Sequence, residues 1–155
     1  MEKFKIYLAG AIEFSPDHGA GIRQQLINEF KDTNFELINP CDFEYNQAEF
    51  PTLLSYQKEE SHNFSDCLKN AIKVSNGDIK SLSNCHALIS VIDEFCGTGT
   101  ASEMSVANIL GIPIFSLIKN SDNWRNINPW ILGQTTFLFY SINDLKEYII
   151  NEYDW

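Results

Sequence analysis

Apolar runs alternate with segments of helical period along the chain, which is the pattern of an α/β domain with a parallel sheet. The run at 87–92 is almost continuously apolar, as central parallel strands are. Between the first two runs, Ile22, Leu26 and Phe30 form a stripe at helical spacing. The predicted strands are residues 4–9, 35–38, 87–92, 112–117 and 136–140.

Capping and turn residues place the helices between these strands. A helix over 100–110 should end at Gly111, and a closing helix over 142–153 should begin near Ser141 or Asn143. Residues 41–77 are polar and irregular. The further predictions are a helix within 64–74, a break at Asn76-Gly77, and a short helix over 78–82 with Asp78 as a possible N-cap. Together these elements predict a Rossmann-like or flavodoxin-like three-layer domain with about five parallel strands, covering residues 1–155 as a single domain.

Composition narrows the function classes. The net charge of −10, with only 11 basic residues, argues against a nucleic-acid surface but allows a small phosphorylated ligand. The chain shows no membrane-spanning run and no signal-peptide pattern at its start, which predicts a cytoplasmic protein. The four cysteines lack metal-ligand spacing, so free thiols in or near the core are expected and no metal site.

Polar and glycine residues follow three of the predicted strands. Ligands of open α/β sheets lie at the carboxyl ends of the strands, so this edge should carry the site. One of these polar segments is Asn-Pro-Cys-Asp at 39–42, which follows the second strand. The residues expected to bind substrate there are Gly10, Asp17, His18, Arg23, Asp93, Gly97, Gly99 and Thr100. Arg23 is either a solvated surface residue or a clamp for a phosphate, aided by the start of its helix. His18, in a glycine-flanked loop, suits a turn better than catalysis.

The glycines at 97 and 99 would let the backbone approach a ligand closely, just before a helix that contains Glu103. A carboxylate in the first turn of that helix should stay ionised, as a nucleophile must. The alternative is structural, because Thr100 and Glu103 have the spacing of a capping box.

Three short motifs follow one another along the chain. They are 6–10 (Ile-Tyr-Leu-Ala-Gly), Asp78-Ile79-x-x-Leu82 followed by 85–89, and 99–103 (Gly-Thr-Ala-Ser-Glu) followed by 111–114. In order and spacing they resemble the nucleoside 2-deoxyribosyltransferase family. That family includes transferases that exchange bases and hydrolases that cut nucleoside 5′-monophosphates.

The resemblance implies a role for four residues. Glu103 would attack the anomeric carbon and form a covalent glycosyl-enzyme, while Asp78 would protonate the departing base or bind its edge. Tyr7 would hydrogen-bond Glu103, and Asp93 would bind sugar hydroxyls. Two carboxyl groups in different roles are also what a retaining glycosidase uses.

The resemblance further implies a homodimer or larger assembly, with no organic cofactor and no metal. The expected reaction is cleavage or transfer at the N-glycosidic bond of a nucleoside or nucleoside 5′-monophosphate, with another base or water as acceptor. Taken singly, Tyr7 also fits a core aromatic and Asp78 a helix cap. A non-catalytic nucleotide-binding module of the same fold is the alternative function, and a flavodoxin-like redox protein ranks below it.

Overall fold

The computed structural model describes residues 3–10, 16–43, 53–92, 96–119 and 121–153. The strands are β1 (Phe4–Gly10), β2 (Phe35–Ile38), β3 (Ala87–Ile92), β4 (Ile114–Ile118) and β5 (Phe137–Phe139). The helices are α1 (Ala20–Phe30), α2 (Leu53–Lys58), α3 (Phe64–Leu82), α4 (Thr98–Ile109), α5 (Pro129–Leu132) and α6 (Ile142–Tyr153). Short 3₁₀ turns cover Pro40–Asp42 and Ser121–Asn126. No helix within the described ranges has both the length and the apolar character that a membrane span requires.

The strands form one five-stranded sheet in the order β2-β1-β3-β4-β5, and every neighbouring pair is parallel. This confirms the predicted α/β class with five parallel strands, and the order is that of a flavodoxin-like sheet. The chain moves from β1 outward to β2 and then crosses back to β3 on the other side of β1. The order therefore reverses between β1 and β3, where open sheets of this kind form a crevice at their carboxyl edge.

Each face of the sheet carries its own apolar core, because side chains alternate along a strand. On one face, Ile6 and Leu8 pack with Leu26 and Phe30 of α1 and with residues of α6. On the other face, the core of Tyr7, Ala9 and Leu88 includes Met104 of α4 and residues from α3 and α5. Helices on both faces make the predicted three layers.

The predicted break at Asn76-Gly77 is wrong, since α3 runs without interruption from Phe64 to Leu82. Asp78 therefore lies inside the helix and is not its N-cap; Asn63 caps it by accepting from the backbone N–H of Asp66 at 3.1 Å. A glycine inside a helix costs about 1 kcal/mol relative to alanine. Burial of Val74 and Leu82 on the same helix offsets that cost.

The predicted start of α4 at Thr100 is also wrong, and the capping box with it. The helix begins at Thr98, after Gly97 in an extended conformation, and the N–H of Ala101 donates to the Gly97 carbonyl at 3.0 Å. Thr100 is buried within the first turn, and Glu103 lies in the second. A capping box requires its threonine outside the helix, so Glu103 has no capping role here.

Candidate active site

Three of the side chains that the sequence singled out, those of Tyr7, Asp78 and Glu103, come together near the ends of β1 and β3. Tyr7 of β1 is level with Ile38 of β2 and Leu88 of β3, three residues before the strand ends at Gly10. Helix α4 packs against both β1 and β3, which carries Glu103 to the same edge. Residues distant along the chain thus meet at the point where the strand order reverses.

Tyr7 and Glu103 are joined directly. The Tyr7 hydroxyl donates to Oε1 of Glu103 at 2.7 Å, across 96 positions of sequence. The tyrosine is fully buried and the glutamate is partly buried. A hydrogen bond to a carboxylate at this distance is of the strong, charge-assisted kind, and it holds the carboxylate in one orientation. The contact expected from the family resemblance is therefore present.

The ionisation of Glu103 differs from the expectation. Burial raises the pKa of Glu103 from its ordinary value of 4.5 to about 7, because a carboxylate is poorly solvated there. The Tyr7 hydrogen bond lowers this pKa, the charge of Asp78 raises it, and the charge of Arg23 lowers it. The expectation of a fully ionised carboxylate at the helix start is wrong, because Glu103 lies a turn further in and is desolvated.

Asp78 reaches the site from α3, which packs against α4. Its side chain is partly buried, and its negative charge acts on Glu103 and on the thiol of Cys41. A second carboxyl group, from a different helix, therefore disfavours the ionisation of Glu103.

Asp17 and His18 form the turn that leads into α1. The Asp17 carboxylate accepts from the N–H groups of Gly19 at 3.0 Å and Gly21 at 2.9 Å, so it caps the start of the helix. His18 has a left-handed backbone with φ 54° and an exposed side chain. These positions fit the turn interpretation of His18, and contact of either residue with substrate stays a prediction.

Arg23 is only 3% exposed, so its interpretation as a solvated surface arginine is wrong. Its Nη1 donates to the His18 carbonyl at 2.8 Å, and its Nη2 donates to the Gly10 carbonyl at 3.0 Å. Among the described residues, Nε is buried without a partner. The guanidinium thus links the end of β1 to the start of α1, and the phosphate clamp stays a prediction.

The two glycines at the start of α4 lie at the same edge, with Gly97 just before the helix and Gly99 in its first turn. Gly97 is buried, whereas Gly99 is exposed, and a Cβ added to Gly99 would meet no described atom within 4 Å. The backbone there is open to a ligand. Thr100 is buried against the protein, which places it behind the loop surface. Asp93 lies outside the described residues, so its expected contact with the sugar stays a prediction.

Two cysteines near Glu103 were assigned only to the core by sequence reasoning. Burial raises the pKa of the Cys41 thiol, and the charges of Arg23, Asp78 and Glu103 also act on it. Burial likewise raises the pKa of Cys96 to about 11, with Glu103 again contributing. The position of Cys41 just after β2 was the available signal, because the carboxyl ends of neighbouring parallel strands lie together.

Metal chemistry has no assembled ligand set in the described part of the chain. No group of three or more His, Cys, Asp or Glu side chains lies close enough there to hold an ion. The chemistry that the described residues themselves offer is a carboxylate held by a tyrosine, a second carboxyl group, and an internal arginine.

Solved structures of similar fold cover almost the whole chain. A 2-deoxyribosyltransferase from the psychrotolerant bacterium Bacillus psychrosaccharolyticus, described as a biocatalyst for nucleoside synthesis, has a TM-score of 0.65 and 21% identity, covering 93% of this chain and 91% of its own. A conserved protein from Enterococcus faecalis V583 has a TM-score of 0.66 and 20% identity, covering 96% and 98%. At these identities the likeness establishes the fold. No curated protein matches the chain in sequence.

The family model for nucleoside 2-deoxyribosyltransferases matches residues 6–147. This stretch contains most of β1, the other four strands and the first half of α6, as well as Tyr7, Asp78 and Glu103. The family implies nucleoside substrates and glycosyltransferase-type chemistry. Because the match covers far more than half of the 155 residues, the chain belongs to the nucleoside 2-deoxyribosyltransferase family.

Proposed function

We propose that this protein breaks the N-glycosidic bond of a nucleoside or nucleoside 5′-monophosphate and passes the sugar to another base or to water, through a covalent intermediate on Glu103. The observation that carries the proposal is the 2.7 Å hydrogen bond from Tyr7 to Glu103 at the carboxyl edge of the sheet. This bond fixes one oxygen of the Glu103 carboxylate, as a positioned nucleophile requires. The carboxylate has no capping role in its helix that would otherwise explain it.

In the first step, the free Oε2 electron pair of Glu103 attacks the anomeric carbon while the carbon–nitrogen bond to the base breaks. Oε1 accepts the Tyr7 hydroxyl, which leaves Oε2 as the attacking atom. The bonding electrons go to the base, which takes a proton from Asp78 because a base leaves poorly as an anion. In the second step, a nitrogen of an acceptor base, or a water oxygen, attacks the anomeric carbon. It gives its proton to Asp78, and the Glu103 carboxylate departs.

The environment of Glu103 suits the first step, in which its carboxylate attacks. With a pKa of about 7, about half of the ligand-free enzyme holds Glu103 ionised at neutral pH. Because a poorly solvated carboxylate is more basic, it is a stronger nucleophile than its ordinary pKa would make it in water. The charge of Asp78 acts on Glu103, which supports Asp78 as the group that exchanges the proton.

A mechanism-based probe tests the nucleophile. A 2-deoxy-2-fluoro nucleoside should add the mass of its sugar to the parent protein, and peptide mapping should place it on Glu103. Glu103→Gln should gain no mass and release no base. Glu147→Gln, a control at an exposed glutamate of α6, should be labelled as the parent is. Normal turnover by Glu103→Gln would overturn the mechanism. A parent that binds nucleosides but never releases a base would favour the non-catalytic binding module.

The acceptor is decided by products. In the base-exchange form of the proposal, adding a second free base should convert the donor into a new nucleoside. In the hydrolytic form, free sugar should appear at the same rate with or without that base. Parallel assays with a nucleoside and its 5′-monophosphate, read by chromatography, separate the transferase from the nucleotide N-glycosidase.

We also propose self-association of the chain. Phe64, Leu68 and Ile72 follow one another at helical spacing on α3 and are exposed, as is Ile109 at the end of α4. Later in the chain Trp130 is exposed as well, whereas Ile131 is buried. The cytoplasmic location and the absence of nucleic-acid binding stay predictions.

A further inference from the structure

We propose that Arg23 is a positioning residue of this active site, which braces the end of β1 against the start of α1 from inside the protein and does not bind a substrate phosphate. The inference rests on the proposed function, because its importance for turnover follows from the position of Arg23 next to the Glu103 site. It assigns to the arginine a task different from the phosphate clamp that the sequence suggested.

The geometry of the guanidinium carries the proposal. Its two terminal nitrogens donate to the carbonyls of Gly10 and His18, at 3.0 and 2.8 Å. Gly10 is the last residue of β1, and His18 lies two residues before α1 begins. A planar fork with fixed donor directions sets the distance between those two carbonyls, which a single point charge cannot do. Arg23 therefore fixes how α1 enters the edge where Tyr7 and Glu103 meet.

The Asp17 carboxylate completes the same turn. It accepts from the N–H groups of Gly19 and Gly21, while Arg23 donates to the carbonyl of His18 between them. The turn contains two successive left-handed residues, His18 at φ 54° and Gly19 at φ 72°. A non-glycine residue in that conformation is held against its own preference, so the surrounding bonds must fix it.

Charge links the brace to the nucleophile. The groups that act on Glu103 are the Tyr7 hydroxyl from β1, the Asp78 carboxylate from α3 and the Arg23 guanidinium from α1. The charge of the Glu103 carboxylate also raises the pKa of the Cys41 and Cys96 thiols. Arg23 is the cation among these groups, and its charge favours the ionised form of Glu103. A buried guanidinium needs such compensation, because its removal from water is costly.

A phosphate ligand fits these observations less well. Both terminal nitrogens already donate to backbone carbonyls, and the residue is only 3% exposed. Each terminal nitrogen keeps one further N–H group, and Nε has its own, but a phosphate could reach them only if the atoms that cover this residue moved aside. The brace and the phosphate clamp predict different losses when the arginine is replaced.

The test compares Arg23→Gln and Arg23→Lys with the parent on a nucleoside and on its 5′-monophosphate. Arg23→Gln should lower kcat by about tenfold or more, the scale of a lost charge-assisted hydrogen bond, and by the same factor on both substrates. The acid limb of its kcat/KM profile should move to higher pH. Arg23→Lys keeps the charge but not the fork, so its kcat should fall while that limb stays near the parental pH.

Arg125→Gln is the matched control, because it removes the same charge from an exposed arginine that stacks on Trp124. It should leave kcat and the pH profile unchanged. A loss confined to the 5′-monophosphate would establish the phosphate clamp and overturn the brace. Parental kcat and pH profile in folded Arg23→Gln would overturn it as well, and Arg23→Lys decides the matter if the glutamine variant does not fold.

A measurement without substrate separates this inference from the proposed function. The Glu103 carboxyl carbon can be titrated by ¹³C NMR in glutamate-labelled protein, with its signal assigned by its loss in Glu103→Gln. In this titration Arg23→Gln should raise the pKa of Glu103, because the positive charge is lost. Arg23→Lys keeps the charge and should leave that pKa near the parental value. An unchanged titration in Arg23→Gln overturns the brace, whether or not the parent releases a base.

Discussion

Replacing Glu103 by glutamine keeps the size of the side chain and an oxygen that can accept the Tyr7 hydroxyl, but removes the charge. In the folded parent, that charge is disfavoured by burial and by Asp78, which together raise the pKa of Glu103 to about 7. Between about pH 4.5 and pH 7, the folded protein holds a proton on Glu103 that the unfolded chain has released. The unfolding free energy of the parent should therefore fall through this window as the pH rises.

The size of the effect follows from the two pKa values. The difference between the ordinary 4.5 and about 7, at about 1.4 kcal/mol per pH unit, amounts to about 3 kcal/mol. Glutamine does not titrate, so the unfolding free energy of Glu103→Gln lacks this pH-dependent contribution. We expect the variant to match the parent near about pH 4 and to be more stable by up to about 3 kcal/mol near about pH 8. Base release should nevertheless fall by several orders of magnitude, since an amide is a poor nucleophile.

Urea unfolding of both proteins across this pH range measures the difference, because the titrating groups that do not interact with Glu103 cancel between them. Glu147→Gln supplies the control at an exposed glutamate. A stability difference that does not change with pH would refute the assigned pKa. A variant that is less stable than the parent near about pH 8 would show that the charged carboxylate stabilises the fold, contrary to the desolvation argument.

Three further outcomes are expected. Tyr7→Phe should move the acid limb of the kcat/KM profile to higher pH and lower kcat about tenfold or more. Asp78→Asn should move that limb to lower pH, and a shift of both variants in the same direction would refute the assignment of charges around Glu103. Gly99→Ala should raise helix stability by about 0.5–1 kcal/mol, since no described atom opposes a Cβ there, yet weaken substrate binding; unchanged KM would show that no ligand approaches this backbone. Phe64→Glu should shift sedimentation toward monomer, and an unchanged assembly would place the contact elsewhere.

Several features of the site could be predicted because they depend on local pattern. The apolar run at 87–92 became β3 over the same residues, and the closing helix over 142–153 was confirmed as α6, with Ser141 accepting from the N–H of Asp144. The Tyr7–Glu103 contact was expected from short motifs that resemble a family. The helix boundaries were wrong at Asn76-Gly77 and at Thr100, where local propensity favoured a break or a cap and packing of the whole helix prevailed.

The sequence by itself determined the class of fold, since the spacing of apolar residues dictates which side chains each strand and helix can bury. It also determined that Tyr7, Asp78 and Glu103 would be present in this order. Only the tertiary structure decided that Arg23 is internal and that Glu103 is desolvated. Both properties arise from atoms of several elements that meet at one edge of the sheet, and the loss of water around a charge depends on all of those atoms together.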